Sequence, residues 1–309
     1  MGIFNRQSKT YSNRGSPLHH KKAPILLILL LLISLILIST LIETAKSPLY
    51  IWSDEWQLTN HLEFDVYPSI AQMNDGRIWV VWVSTRITNP LVPKNTNIFY
   101  KIYNGTAWSK DKVLIDDYRG DIGPSITQAK DGKIWVVWAA NRTGQYHVHY
   151  RTSPDNGATW SNDTSITSST YNDYHPSVLS ASDGKIWVVW HRTLSVSNYE
   201  IFCKTFDGTS WSSEVQITNE PNWDMQPVIT QAKDDKIWVV WASNRIGATE
   251  NYEIFYKTFN GTSWSTDYRL TTDTKKFDTE PAIFQMSNGT IWVIWTARGF
   301  SASDTDDLY

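Results

Sequence analysis

Ile78-Trp79-Val80-Val81-Trp82 is the stretch that decides the fold, because the chain repeats it. It returns at residues 134–138, 186–190 and 237–241, and at 291–295 with Ile294 in place of the second Val. The first Trp of each copy stands at 79, 135, 187, 238 and 292, so the spacings are 56, 52, 51 and 54 residues. Five copies at a nearly fixed period mean a repeat architecture. Each copy is β-branched and aromatic without helical spacing, which predicts a strand. Its two Trp, at i and i+3, fall on opposite faces, so both faces are expected to be covered. A buried Trp removes roughly 150–250 Å² from water. At about 25 cal/mol per Å² that is on the order of 4–6 kcal/mol gross. These ten Trp, of seventeen in the chain, are the expected core.

Working outward, each unit opens with Asp-X-X-Pro: Asp65, Asp121, Asp173, Asp224 and Asp278, each three residues before Pro68, Pro124, Pro176, Pro227 and Pro281. A short strand and a tight turn follow, for example Asp75-Gly76 and Asp131-Gly132, the residues a hairpin turn asks for. The Trp-rich strand is next, then a third strand and a Trp-Ser pair at 108, 160, 211 and 264. Four antiparallel strands per roughly 53 residues is the unit of a propeller blade. The predicted fold is all-β, a β-propeller with five blades. Trp52-Ser53 is in register with the later Trp-Ser pairs. Residues 52–59 are therefore expected to complete the blade built by residues 281–309 and close the ring. A chain whose further blades are missing is the competing expectation.

The N-terminal region differs. Residues 1–22 contain Arg6, Lys9, Arg14, Lys21 and Lys22 and no acid, in a chain of net charge −3. Residues 23–42 are apolar and uncharged over twenty positions, long enough to cross a bilayer core of about 30 Å. A cleaved signal peptide is the alternative, but Glu43 stands where a small residue is wanted. The expectation is an uncleaved signal anchor with a cytoplasmic tail (1–22), a membrane span (23–42), a linker (43–50) and an extracellular propeller (51–309). An acidic propeller argues against nucleic acid as a partner. Cys203 is the one cysteine, so no intrachain disulfide can form, and it reads as a small buried hydrophobe. Sequons at Asn104, Asn141, Asn162, Asn260 and Asn288 would permit glycosylation of an exported chain.

Ser153-Pro154-Asp155-Asn156-Gly157-Ala158-Thr159-Trp160 carries a further pattern. Its Ser153, Asp155, Gly157, Thr159 and Trp160 match the Asp-box, and shortened forms end at Trp108, Trp211 and Trp264. The chain thus resembles the sialidase-like, Asp-box (BNR repeat) β-propellers over about residues 51–309. These residues have structural work: the Asp caps turn N–H groups, the Gly takes positive φ, and the Trp anchors the hairpin.

Blade geometry places the Asp-X-X-Pro segments and the loops after the Trp-rich strands on one face. That face would present Asp65, Asp121, Asp173, Asp224 and Asp278 with Arg86, Arg142, Arg192, Arg245 and Arg298. They read first as ion pairs and loop caps, and second as an arginine cluster for carboxylate or phosphate. His175 and His191 break the repeat on this face, as do Tyr174, Trp223 and Glu280. The resemblance implies three arginines, a Tyr–Glu pair and an Asp, each in one place. Here Asp and Arg recur in every blade, and the Phe/Tyr-Arg-Ile-Pro segment has only Val66-Tyr67-Pro68 as counterpart. A five-blade count also resembles arabinan-type glycosidases, which would need paired carboxylates, with Asp65, Asp173 and Glu280 as candidates. His147 and His149 lack further zinc-spaced ligands, and Asp304, Asp306 and Asp307 read as a solvated loop. No metal or cofactor is expected. The preferred expectation is a membrane-anchored extracellular module that binds glycan or protein without catalysis. A glycoside hydrolase and a structural surface-layer component are the alternatives.

Overall fold

Nineteen strands, grouped into five sheets, make up the regular structure of the described residues. The computed structural model describes residues 56–86, 95–117, 119–246, 251–272, 276–299 and 306–308. The expected tail (1–22), membrane span (23–42) and linker (43–50) lie outside the described residues. Among the described residues no helix is long and apolar enough to cross a membrane.

Each sheet is an antiparallel meander whose second strand is a Trp-rich stretch. The first blade runs Asp65–Gln72, Ile78–Ser84, Asn97–Tyr103 and Lys112–Val113. The second is Asp121–Gln128, Ile134–Asn141, Tyr146–Ser153 and Thr164–Ser165. The third is Asn172–Ser180, Ile186–Ser195, Asn198–Phe206 and Val215–Gln216. The fourth is Asp224–Gln231, Ile237–Ser243, Glu253–Phe259 and Tyr268–Arg269, and the fifth is Lys276–Gln285, Ile291–Gly299 and Asp306–Leu308. Outer strands of two residues leave little unpaired edge for another chain to join. The five first strands stand side by side around a central cavity of about 570 Å³.

The two Trp of each repeat do different jobs. The first seats one blade on the next: Trp79 meets Trp160 edge-on at 6.2 Å, Trp135 meets Trp211 at 6.1 Å, and Trp187 meets Trp264 at 6.3 Å. The second lies on the opposite face, in the core shared with the preceding blade, and Trp138, Trp190 and Trp241 are fully buried. Polar stitches add to the stacking. Gln128 Oε1 accepts the Asn74 N–H at 2.7 Å, and Gln231 and Gln285 do the same for Ser182 and Lys233. Ser125 and Ser177 hydroxyls accept the N–H groups of Val178 and Ile229.

The Asp-box shows why its residue types are needed. Ser153 Oγ accepts the Gly157 N–H at 2.7 Å, and Asp155 accepts the Thr159 N–H at 2.8 Å and its hydroxyl at 2.6 Å. The closed turn sets Gly157 at φ +80°, with its backbone against the Trp79 ring of the preceding blade. A Cβ there would lie 2.5 Å from Trp79 Cη2. Tyr100 completes the joint, donating its hydroxyl to the Gly157 carbonyl at 3.3 Å. Cys203 lies in the core between the third and fourth blades, and burial pushes its thiol pKa up to about 12.

The seam between the fifth and first blades is different. Ile70 is 67% exposed, while Ile126 and Ile229, at the same register, are 5% and 8% exposed. Trp292, which should seat the fifth blade on the first, is 52% exposed. The expected closing strand falls partly outside the described residues, since 52–55 are not described. Residues 56–59 are described and form no strand, so the fifth sheet has three strands among the described residues. The third strand there is described over Asp306–Leu308.

The Gly157 joint gives a test. Gly157→Ala adds a methyl against a ring that cannot retreat and forces an L-residue into positive φ. It is expected to cost about 2–4 kcal/mol in urea unfolding. Gly132→Ala has open space and only the backbone term, so it is expected to cost about 1 kcal/mol.

Candidate functional site at the funnel mouth

Proline in an inner strand removes a ladder donor, so each Asp-X-X-Pro must break the sheet register. The break has the same form in all five blades. In the first, Val66 pairs with Val83 and Ser69 with Val81, so Tyr67 and Pro68 together oppose Trp82. The shift recurs after Ile122, Tyr174, Met225 and Thr279. This is a β-bulge, a device that re-aims a side chain. The residue before each Pro takes positive φ: Tyr67 at 53°, Gly123 at 59°, His175 at 49°, Gln226 at 55° and Glu280 at 53°. Four of the five are not glycine, and left-handed backbone costs them roughly 1–2 kcal/mol each. Strain repeated at one position, with the strained residues lining one cavity, points to function. All five line the central cavity.

The ring these residues form is asymmetric, as a recognition site requires. Tyr67 reaches past Gly123, which has no side chain, and meets His175 edge-on at 5.9 Å. His175 stacks on His191 at 5.3 Å. His191 Nδ1 accepts the Gln226 N–H at 3.3 Å, and Gln226 Oε1 accepts the Glu280 N–H at 3.1 Å. Burial lowers the pKa of His175, and burial together with the charge of His175 lowers that of His191 well below the ordinary value. Both imidazoles are therefore neutral near pH 7, and the ring offers hydroxyl, imidazole, amide and carboxylate groups to a ligand. Among the described residues lining the cavity, Glu280 is the single carboxylate and no arginine is present.

The recurring Asp and Arg residues sit elsewhere. Arg86 bonds Asp65 at 2.7 Å and also Asp111; Arg142 bonds Asp121 at 2.5 Å and Asp163 at 3.0 Å. Arg192 bonds Asp173 at 2.6 Å and Glu214 at 2.8 Å; Arg245 bonds Asp224 and Asp267, both at 2.5 Å. Asp278 is buried and Arg298 exposed in the fifth blade, and neither is without a partner. The indole N–H groups of Trp82, Trp138 and Trp190 donate to Asp65, Asp121 and Asp173 at 3.1, 2.9 and 3.0 Å. Arg86, Arg192 and Arg245 each lie over the third-strand Phe of their blade, at 4.8, 4.6 and 4.7 Å. Burial opposes the charge of Arg192, but its two carboxylates outweigh that and raise its pKa. Burial pushes Asp121 up to about 7 against the pull of Arg142. In the first four blades these groups are intra-blade clips, and none of them lines the funnel.

The second blade departs from its neighbours, with His149 in the Phe position and bonded to Asp163 at 2.5 Å. A second cavity of about 350 Å³ opens there, lined by Arg119, Arg142, Arg151 and their acids. Asp117 takes Arg119 through two bonds of 3.0 Å, and Arg151 donates to the Leu114 carbonyl at 2.9 Å. His147 lies 3.8 Å from Asp173. Among the described residues no cluster of His, Cys, Asp or Glu could hold a metal ion. Asp304 lies outside the described residues, and Asp306 and Asp307 belong to the last strand.

Sequence reasoning named His175, His191 and Glu280 but missed Tyr67, Gly123 and Gln226. The signal was available: the position before Pro varies (Tyr, Gly, His, Gln, Glu) inside a motif whose other anchor residues repeat.

Residues 68–293 match the family described as BNR repeat-like domain. No curated protein matches the chain. Among solved structures, a Dyadobacter fermentans protein of unknown function aligns at TM-score 0.62 and 11% identity, over 81% of this chain and 84% of that one. A Penicillium chrysogenum α-L-arabinanase in complex with arabinobiose aligns at 0.58 and 15%, over 78% and 80%. A Streptococcus pneumoniae sialidase aligns at 0.60 and 11%, over 86% and 64%. At these identities the likeness is one of fold.

Two outcomes test the geometry. Asp173→Ala leaves the Trp190 N–H without its acceptor and strips one carboxylate from a buried Arg192; it is expected to cost about 3–5 kcal/mol in urea unfolding. At Glu280, strain should reverse the usual strand preference. Glu280→Gly is expected to be more stable than Glu280→Ala by about 1 kcal/mol, measured the same way.

Proposed function

The chain belongs to the BNR repeat-like domain family, and from that membership we propose a carbohydrate-binding propeller that recognises glycan at its funnel mouth without cleaving it. The observation that carries this is the composition of the bulge ring. Tyr67, His175, Gln226 and Glu280 offer an aromatic face and several hydrogen-bonding groups around one cavity, the mix a sugar ring requires. Glycoside hydrolysis needs two carboxylates about 5–9 Å apart, and the described funnel lining supplies Glu280 alone. An arginine clamp for an acidic sugar needs free guanidinium donors, and four of the five repeat arginines are held between two carboxylates each. The apolar run 23–42 supports anchoring of this module at the outer face of a membrane, with its N-terminus inside.

A hydrolytic reading has one observation in its favour: arabinanase and sialidase structures share the fold. The two readings separate on the full-length protein in detergent, assayed against a panel of neutral and acidic oligosaccharides. Binding without release of new reducing ends is expected. Tyr67→Ala and Glu280→Gln should each weaken that binding by ten-fold or more. Turnover that disappears in Glu280→Gln would instead establish a hydrolase.

A further inference from the structure

Beyond the funnel, a run of aromatic rings crosses the same face. Tyr146 of the second blade lies 5.0 Å from Tyr174 of the third, and Tyr174 lies 5.8 Å from His191. His191 stacks on Tyr199 at 5.7 Å, and Tyr199 on Trp223 at 5.0 Å with the planes 5° apart. Trp223 meets Tyr252 of the fourth blade at 6.2 Å, and Tyr252 meets Phe277 of the fifth at 6.3 Å. The seven rings touch in sequence, with His191 beneath the surface between Tyr174 and Tyr199. His191 is buried, and the other six are partly exposed.

We propose that this path is an extended binding track for a linear, uncharged polysaccharide that enters the funnel mouth at His175. The inference rests on the carbohydrate reading of the funnel and adds a substrate class to it: chains longer than a disaccharide, without acidic sugars.

Rigidity supports the track. The Tyr199 N–H donates to the Asn222 carbonyl at 3.0 Å, and the Asp278 N–H donates to the Tyr252 carbonyl at 2.9 Å, so backbone bonds between blades set the ring positions. Trp223 Nε1 donates to the Val196 carbonyl at 3.2 Å, which fixes the orientation of the indole. A preorganised platform loses little side-chain entropy on binding. The rings are also amphipathic. Four carry phenol hydroxyls, so apolar ring edges and hydrogen-bonding tips alternate along the path, a mix that suits a chain of sugar rings with apolar patches and hydroxyl rims. Charge decides between sugar classes. Arg192 and Arg245, the clip arginines of the blades that carry most of the track, are each already held by two carboxylates. A polyanionic glycan would meet no free guanidinium from them. The path is continuous with the funnel through His191, which stacks on His175.

The test uses the full-length protein in detergent micelles and isothermal titration with disaccharides and octasaccharides of arabinan, xylan, β-glucan and galactan. In the series that binds, the octasaccharide is expected to bind at least ten-fold more tightly than the disaccharide. The double substitution Trp223→Ala, Tyr252→Ala should abolish that gain and leave disaccharide affinity unchanged. Trp223→Phe should retain most of the gain, which separates loss of stacking from loss of folding. Tyr67→Ala should weaken both lengths. A length gain that survives the double substitution would overturn the track while sparing the funnel reading. Equal affinity for the two lengths would do the same, as would a proline-rich peptide that competes for Trp223. Failure of every oligosaccharide at both lengths would overturn the track and the funnel reading together.

Discussion

A guanidinium held between two carboxylates sets the radial order of each of the first four blades. Its Asp stands at the start of the inner strand, its second acid just before the outer strand, and the Arg itself beyond the Trp-rich strand or, for Arg192, near the end of that strand. One side chain thus ties the axis of the propeller to its rim. Burying such an ion pair is not in itself a large source of stability, because desolvation offsets most of the attraction. What it supplies is geometry. Breaking the clip would leave a buried charge without its partner, so the inner strand cannot slide against the outer one. The second Trp of the repeat uses the same Asp as its acceptor in the first three blades, so ring packing and charge pairing fix one register together.

That register is what makes the funnel possible. With the Asp pinned and Pro unable to donate, the residue between them has to leave the ladder, and it leaves in the same left-handed conformation five times. The backbone is constant and the side chain is not. Repetition therefore produces the scaffold, and one position per blade escapes repetition. The aromatic path uses a related economy, since Tyr146, Tyr199 and Tyr252 occupy equivalent places at the start of the third strands.

Much of this was legible in the chain itself. The pentapeptide period gave the blades and their strand order, and the Asp-box residues named their own turn. The alternation of Trp faces correctly placed Trp79, Trp138 and Trp190 in the core. The site was only half legible, for a physical reason. A five-fold recurrence of Asp and Arg is visible in sequence, but whether two such residues turn toward each other or toward a ligand depends on the bulge between them. Positive φ at Tyr67 or Gln226 is imposed by the surrounding sheet against local preference, so no propensity announces it. Pattern places a closing strand at residues 52–59; residues 52–55 lie outside the described residues, and 56–59 form no strand.

Since the proline, joined by the clip in the first four blades, holds the main chain at each bulge, the five cavity-facing positions are expected to tolerate exchange that the rest of the motif would not. Glycine is already accommodated at one of them, and a phenol, an imidazole, an amide and an acid at the others. The mouth of the funnel is a socket with five interchangeable fittings, and swapping them offers a route to new ligand selectivity on an unaltered set of blades.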